Sequence, residues 1–260
     1  MKKIIICFLI VAIIFITACK KSGSESVAPH VPACLVTATI DSLTKDTTSV
    51  FIYDSEGRLS KEQHFNKNVR ANYYYYIYNP GTIKQLYYND KDEVEDTAYY
   101  TLNADGAVAK ETYKGGVGRF DTLLFTYLNG YLKTVIHKSV KGAVVEADTF
   151  NYEYSGENMT KYSYIKNGVV GYSYEYTYTG LEDKVGLGLF GDISIPGLFG
   201  KANAKLILTE TYTNVEDPVG NYKQSYSYKV DSNGLPSYQK MTTDYGNANE
   251  ENNLFATRCR

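Results

Sequence analysis

Tyr53-Asp54-Ser55-Glu56-Gly57-Arg58-Leu59 reads as the end of one β-strand, a tight turn and the start of the next. Asp54 suits the first position of a type I turn, Gly57 supplies a positive φ for a glycine bulge, and Leu59 restarts a buried face. Variants of the stretch recur. Turn glycines fall at Gly57, Gly81, Gly106, Gly130, Gly156 and Gly180, spaced 24 to 26 residues apart. A fixed period of this length is a repeat signature. Many units continue alike, with an apolar residue two places after the glycine and then a lysine: Leu59 and Lys61, Ile83 and Lys84, Val108 and Lys110, Leu132 and Lys133. The lysine is expected at a solvated strand position that also discourages edge pairing.

The remaining turns have hairpin chemistry. Asn129-Gly130 and Asn167-Gly168 suit two-residue type I′ turns, Asn103-Ala104-Asp105-Gly106 repeats the Asp54 pattern, and Pro80-Gly81 suits type II. Further turns fall between them, near 66–68, 89–96, 114–118, 141–142 and 167–168, so each period holds two strands. Short connections between successive β runs force antiparallel neighbours. Alternation then defines two faces. Tyr172, Tyr174, Tyr176 and Tyr178 share one, with Ser173, Glu175 and Thr177 on the other. Phe150, Tyr152 and Tyr154 alternate in the same way. Tyr73 to Tyr78 carries aromatic residues on both faces, which implies a strand covered on both sides or an exposed tyrosine patch. The expected fold is an all-β, antiparallel up-and-down meander of about 14–16 strands, strongly curled or closed into a barrel because so long a sheet does not stay open and flat.

The N-terminus carries a different signal. Lys2 and Lys3 precede an apolar run from Ile4 to Ile16, which fits a secretory signal and is short for a transmembrane helix. The run ends Ile16-Thr17-Ala18-Cys19, which resembles the bacterial lipobox. That resemblance implies a signal peptide over 1–18 and a lipidated Cys19, holding the chain to a membrane through two or more acyl chains. Residues 19–33, with Ser22, Gly23, Ser24, Ser26, Pro29 and Pro32, read as a flexible tether, and residues 34–260 as a single repetitive domain.

The repeat motif Tyr53-Asp54-x-x-Gly57-Arg58-Leu59 resembles the YD repeats of bacterial repeat proteins. Over about residues 34–258 the layout, including Phe190-Gly191 and Leu198-Phe199-Gly200-Lys201, is similar to a Bacteroidetes family of lipoproteins of unknown function with a porin-like repetitive β domain. The resemblance implies an outer-membrane, lipid-anchored location and transfers no catalytic residues. Lys20-Lys21-Ser22-Gly23-Ser24-Glu25 lacks the acidic cluster that often follows the cysteine of surface-exported lipoproteins of that kind, so the periplasmic or surface face stays open.

The period breaks after Gly180, and the next matching turn is Asp231-Ser232-Asn233-Gly234. Residues 181–204 form a glycine-rich apolar insertion containing Leu187, Leu189, Phe190, Leu198 and Phe199. A loop of this length is usually functional or packed. It reads either as a plug over one end of the sheet or as a lid over an apolar ligand cavity. Gly186-Leu187-Gly188-Leu189-Phe190-Gly191 also fits a dinucleotide fingerprint, but it lies among hairpins and Pro196 cuts any following helix, so no nucleotide site is expected.

Beyond Cys7 and Cys19 the chain has only Cys34 and Cys259, at the first and last strands. In an exported chain such a pair is expected to form a disulfide that closes the meander, the alternative being two free thiols. The acidic cluster Asn89 to Asp96 lacks calcium-loop spacing and reads as a solvated hairpin loop, and His30, His64 and His137 lack zinc spacing. His64 and His137 are expected near strand ends as surface residues. No metal or cofactor is expected, and no catalytic constellation is legible. With a net charge of −2 and no basic block, nucleic-acid binding is not expected. The composition instead stands out in tyrosine, 27 residues, with no tryptophan. These features favour a noncatalytic binding or interaction scaffold whose partner is a protein, a glycan or an apolar small molecule, over a carrier of an apolar ligand or a membrane-spanning porin. Charged strand residues such as Lys84, Glu111, Glu153 and Glu175 count against a continuous lipid-facing band.

Overall fold

The computed structural model describes residues 34–115, 118–187, 197–245 and 249–259. The signal segment, Cys19 and the tether lie outside them, as do Leu189 and Phe190. Sixteen strands follow in chain order. The first eight are β1 (Cys34–Asp41), β2 (Thr47–Tyr53), β3 (Leu59–Asn66), β4 (Val69–Asn79), β5 (Thr82–Tyr88), β6 (Val94–Leu102), β7 (Val108–Gly115) and β8 (Arg119–Leu128). The second eight are β9 (Tyr131–Lys141), β10 (Val144–Ser155), β11 (Asn158–Lys166), β12 (Val169–Glu182), β13 (Lys205–Asn214), β14 (Tyr222–Val230), β15 (Pro236–Thr243) and β16 (Asn249–Cys259). Each strand pairs antiparallel with its chain neighbours, and β1 pairs with β16, so the sheet closes into an up-and-down barrel. Closure leaves no unpaired edge for another chain to extend.

The turns behave as their residues dictate. Asn129 and Gly130 both have positive φ, as do Asn167 and Gly168, which is the type I′ geometry. In the longer turns one acidic or amide side chain folds the loop. Asp54 Oδ1 accepts from the backbone N–H of Glu56 and Arg58, Asn103 Oδ1 from Asp105 and Ala107, and Asp231 Oδ1 from Asn233 and Leu235. The glycine that follows, Gly57, Gly106 or Gly234, holds a positive φ, and the ladder shifts register beside each turn.

These repeat turns gather at one end of the barrel, together with Cys34, Cys259 and the described parts of the insertion, 181–187 and 197–204. The two cysteines are register partners and form a disulfide across a separation of 225 residues. The residues that restart each buried face, Leu59, Ile83, Val108 and Leu132, are at most 2% exposed and line the interior at this end. One apolar cluster joins Val36, Phe51, Leu59, Tyr76, Ile83 and Val108 to Val185, Leu198 and Leu235. A second joins Leu132, Val135, Tyr152, Met159, Tyr162 and Tyr176 on the opposite wall.

Alternation resolves the two-sided tyrosine strand. On β4, Tyr74, Tyr76 and Tyr78 pack inward with the first cluster, whereas Tyr75 and Ile77 are exposed on the outer wall. Of the charged strand residues, Glu111 is register partner of inward-facing Tyr100 and lies inside. Lys84 is partner of exposed Tyr99, and Glu175 of Lys161, and these lie outside. The histidine expectation is corrected. His137 sits in the middle of β9 and faces the interior, because parity places it with Val135 rather than with Ile136.

Candidate functional site

The end that carries the repeat turns is built for closure. Tyr53 Oη donates to the Val36 carbonyl at 2.7 Å, Tyr78 to Leu59 at 2.8 Å and Tyr127 to Val108 at 2.7 Å, and Tyr178 makes the same bond to Met159. Each hydroxyl thus latches the end of one strand to the start of the strand before it. In the opening motif Asp54 also pairs with Arg58 at 2.7 Å, and Arg58 lies over the Tyr78 ring at 4.5 Å. Every residue type in the repeat has a structural task, so the repeats position a site without being one.

Across this end lies the insertion. Its described parts are tied down by backbone bonds: Asp183 N–H to Ala204 O, Val108 N–H to Leu198 O, Lys201 N–H to Gly130 O and Ala204 N–H to Glu157 O. Asn203 is buried and its Oδ1 accepts from Met159 N–H. Val185 and Leu198 are each 1% exposed, Leu187 and Phe199 pack partly buried at the edge of the same cluster, and the Phe199 ring lies 5.5 Å from that of Phe125. Asp183 accepts from the N–H groups of Val185, Gly186 and Leu187, and burial nonetheless pushes its carboxyl up to about 6. Leu198 therefore packs inside the repeat end with Leu187 and Phe199 against the same cluster, as a plug would.

Away from the plug the interior changes character. Ring contacts run around one wall from strand to strand. Phe150 stacks on Tyr162 at 5.8 Å, Tyr164 on Tyr172 at 4.8 Å and Tyr212 on Tyr222 at 5.1 Å, with Tyr174 4.9 Å from Tyr212 bridging the set. Tyr152, Tyr162 and Tyr176 are buried, and Tyr164, Tyr172, Tyr174, Tyr212 and Tyr222, nearer the far end, are half-buried. Aromatic neighbours in these offset and tilted arrangements stabilise the wall by about 1 kcal/mol per pair beyond their burial.

Between the rings stand acids and amides. On the wall facing this ladder, Tyr100 Oη donates to Gln85 Oε1 at 3.1 Å, Gln85 Nε2 to Tyr76 Oη at 3.0 Å, and Tyr76 Oη to Glu62 Oε2 at 3.4 Å. Glu111 shares a hydrogen bond with Tyr100 at the end of this chain, and burial pushes its carboxyl up to about 7. Across the barrel Glu210 is bonded to Tyr176, and burial raises it too. Toward the far end Asp121, fully buried, accepts from His137 Nε2 at 2.9 Å and Arg119 Nε at 2.8 Å. Burial opposes its ionisation, but those bonds and one with Ser139 hold it below the usual carboxylate range. Ser139 bonds to the acid rather than to the histidine, so these three residues do not form a nucleophilic relay.

Sequence reading placed the tyrosine faces correctly but missed the interior acids. Glu111 and Glu210 sit on alternating strands of unremarkable composition, and only the phase shared with inward tyrosines marked them. Among the described residues, no group of three or more His, Cys, Asp or Glu is placed to hold a metal ion, and no helix is long and apolar enough to cross a membrane, which says nothing of a β-barrel.

No protein-family model matches the chain, and no curated protein matches it. Solved structures do. A porin-like protein from Bacteroides uniformis superposes with a TM-score of 0.60 at 14% identity, covering 88% of this chain and 99% of the other. A porin-like protein from Bacteroides vulgatus superposes with a TM-score of 0.57 at 12% identity, covering 85% and 98%. At these identities the likeness is one of fold, and the fold is that of the porin-like Bacteroides barrels.

Proposed function

We propose that this protein is a noncatalytic, lipid-anchored barrel of the bacterial cell envelope that binds its partner through its tyrosine-lined interior. One observation carries the reading. The repeat end is packed with apolar side chains, Val185 and Leu198 of the insertion among them, while the interior beyond it is lined with half-buried tyrosines, amides and carboxylates. Such a surface combines apolar area with hydrogen-bonding groups, as small-molecule and peptide sites do. The outer wall supports a barrel that stands in water, because Lys84, Lys161, Glu175, Lys240 and Glu250 project from it, with ion pairs between Lys161 and Glu175 and between Lys240 and Glu250. A spanning wall would place such charges in hydrocarbon at several kcal/mol each.

The lipid anchor at Cys19 follows from the lipobox, and the porin-like Bacteroides fold accords with an outer-membrane location. Since β1 begins at the plugged end, the tether of residues 19–33 leaves from there. A chain of that composition spans roughly 20 Å, which keeps the barrel near the membrane with its plugged end tethered. Acyl-label incorporation that disappears in Cys19→Ala tests the anchor. Native mass spectrometry of the full chain tests the binding reading: a retained small molecule or peptide is expected, and its absence together with no binding to envelope extracts would sink it.

A second reading, a carrier of an apolar ligand with residues 181–204 as its lid, draws on the partial burial of Leu187 and Phe199 at the edge of the core. It requires the plug to break its backbone ties to Val108 and Gly130. Copurification of an acyl chain would favour it.

A further inference from the structure

We propose that Glu210 and the tyrosines around it form a binding site for an organic ammonium group. The proposal rests on the reading of the barrel interior as the binding surface and gives it a ligand class. Glu210 on β13 lies opposite Tyr176 on β12 and Gln224 on β14. Tyr174, Tyr212, Tyr222 and Tyr226 occupy the neighbouring inward positions, and Tyr174, Tyr222 and Tyr226 all feel the charge of this carboxylate. Tyr174 and Tyr222 share a hydrogen bond, which fixes both rings, and Tyr226 is held by Gln224 at 2.7 Å. One half-buried carboxylate thus shares the inward face of three adjacent strands with five tyrosines.

Elsewhere the molecule supplies cations to its own tyrosines. Lys61 lies 4.0 Å from the centroid of Tyr73, Arg58 4.5 Å from Tyr78 and Lys229 5.2 Å from Tyr238. Among the described residues, no lysine or arginine pairs with Glu210 or lies over any of the five rings. A carboxylate withdrawn from water and left without a countercharge favours a cation, and the negative faces of the rings favour one that is large and weakly hydrated. A hard divalent ion would need several oxygen ligands, and one carboxylate does not provide them. A neutral sugar would leave the acid uncompensated. Burial raises the Glu210 carboxyl, and its hydrogen bond with Tyr176 does not offset this.

Tetramethylammonium chloride titrated into the full chain in a nonionic detergent tests this, with potassium chloride at equal ionic strength and tert-butanol as an uncharged analogue. Tyrosine fluorescence reports the binding directly, since the chain has no tryptophan. A saturable change is expected with tetramethylammonium alone, weakened at least about tenfold by Glu210→Gln, as the loss of one charge partner implies. Glu175→Gln, on the outer face of the same wall, should leave it intact. An equal response to the alcohol, or an unchanged response in Glu210→Gln, overturns the assignment. Should Glu210→Gln fail to fold, Tyr222→Phe and Tyr222→Leu replace it: the site is supported if the phenylalanine retains binding and the leucine loses it, and refuted if both retain it. If tetramethylammonium gives no saturable signal while native mass spectrometry retains another small molecule, the ammonium assignment falls and the binding reading stands.

Discussion

The two ends of this barrel are made by the same strands with the same alternation, yet their interiors differ in kind. At the repeat end the inward positions are Leu59, Ile83, Val108, Leu132 and Met159, and Val185 and Leu198 of the insertion pack against the first three. Farther along, the inward positions are tyrosines interrupted by Glu62, Glu111, Asp121 and Glu210. The difference teaches how a long meander divides its labour. Tight turns need their flanking strands held in register, and aliphatic packing with the tyrosine latches does this. Once closure is secured at one end, the other can carry polar groups whose burial lowers stability.

Four measurements would break or sharpen that contrast. The largest effect is expected at the seam. Replacing Cys34 and Cys259 with serine should lower unfolding free energy by up to about 5 kcal/mol on chain-entropy grounds, seen in urea melts with and without reductant. A loss under about 1 kcal/mol would mean that the β1–β16 ladder closes the barrel unaided.

Leu198→Ala comes next. It empties a fully buried position in the plug and should destabilise by about 2–4 kcal/mol in the same assay. A near-neutral result would show that the plug is not part of the cooperative core, and would strengthen the lid reading.

The polar half should respond with the opposite sign. Burial raises the Glu111 carboxyl from an ordinary 4.5 to about 7. Below pH 4.5 the group is protonated in both folded and unfolded chains and contributes nothing. Between 4.5 and 7 the unfolded chain releases the proton first, so folded stability falls with rising pH and stays low above 7. Glu111→Gln should therefore stabilise the protein at pH 8 by about 2–3 kcal/mol and change little at pH 4. Equal melting shifts at both pH values would remove burial as the cause.

The smallest effect belongs to the repeat motif itself. Tyr127→Phe deletes the latch to the Val108 carbonyl and should cost about 1 kcal/mol in thermal melts. No change would demote the recurring hydroxyl to a bystander.

Much of the fold is legible without coordinates because its determinants are local. Asn129-Gly130 and Asn167-Gly168 demand positive φ at two successive residues, and the chain takes it there. The apolar residue after each turn glycine is buried because the turn geometry fixes which way it faces. The candidate site was far less legible. His137 looks like a surface residue by position, and its partner Asp121 is 16 residues away on the neighbouring strand. Glu210 carries no motif, since its significance comes from Tyr176 and Tyr226 on two different strands.

What the residues by themselves determine is a period of two strands, the turn types and the existence of two unlike faces, because each depends on backbone torsions and pleat over a few residues. Which face lies inside is a tertiary decision. Tyrosine is compatible with either side, having an apolar ring and a polar tip, so Tyr73 to Tyr78 is symmetric until the sheet curls. The pairing of Cys34 with Cys259, the seating of Leu198 against Val108 and the isolation of Glu210 among rings likewise arise only on closure. Each is a contact between segments remote in sequence, and no local rule spans that distance.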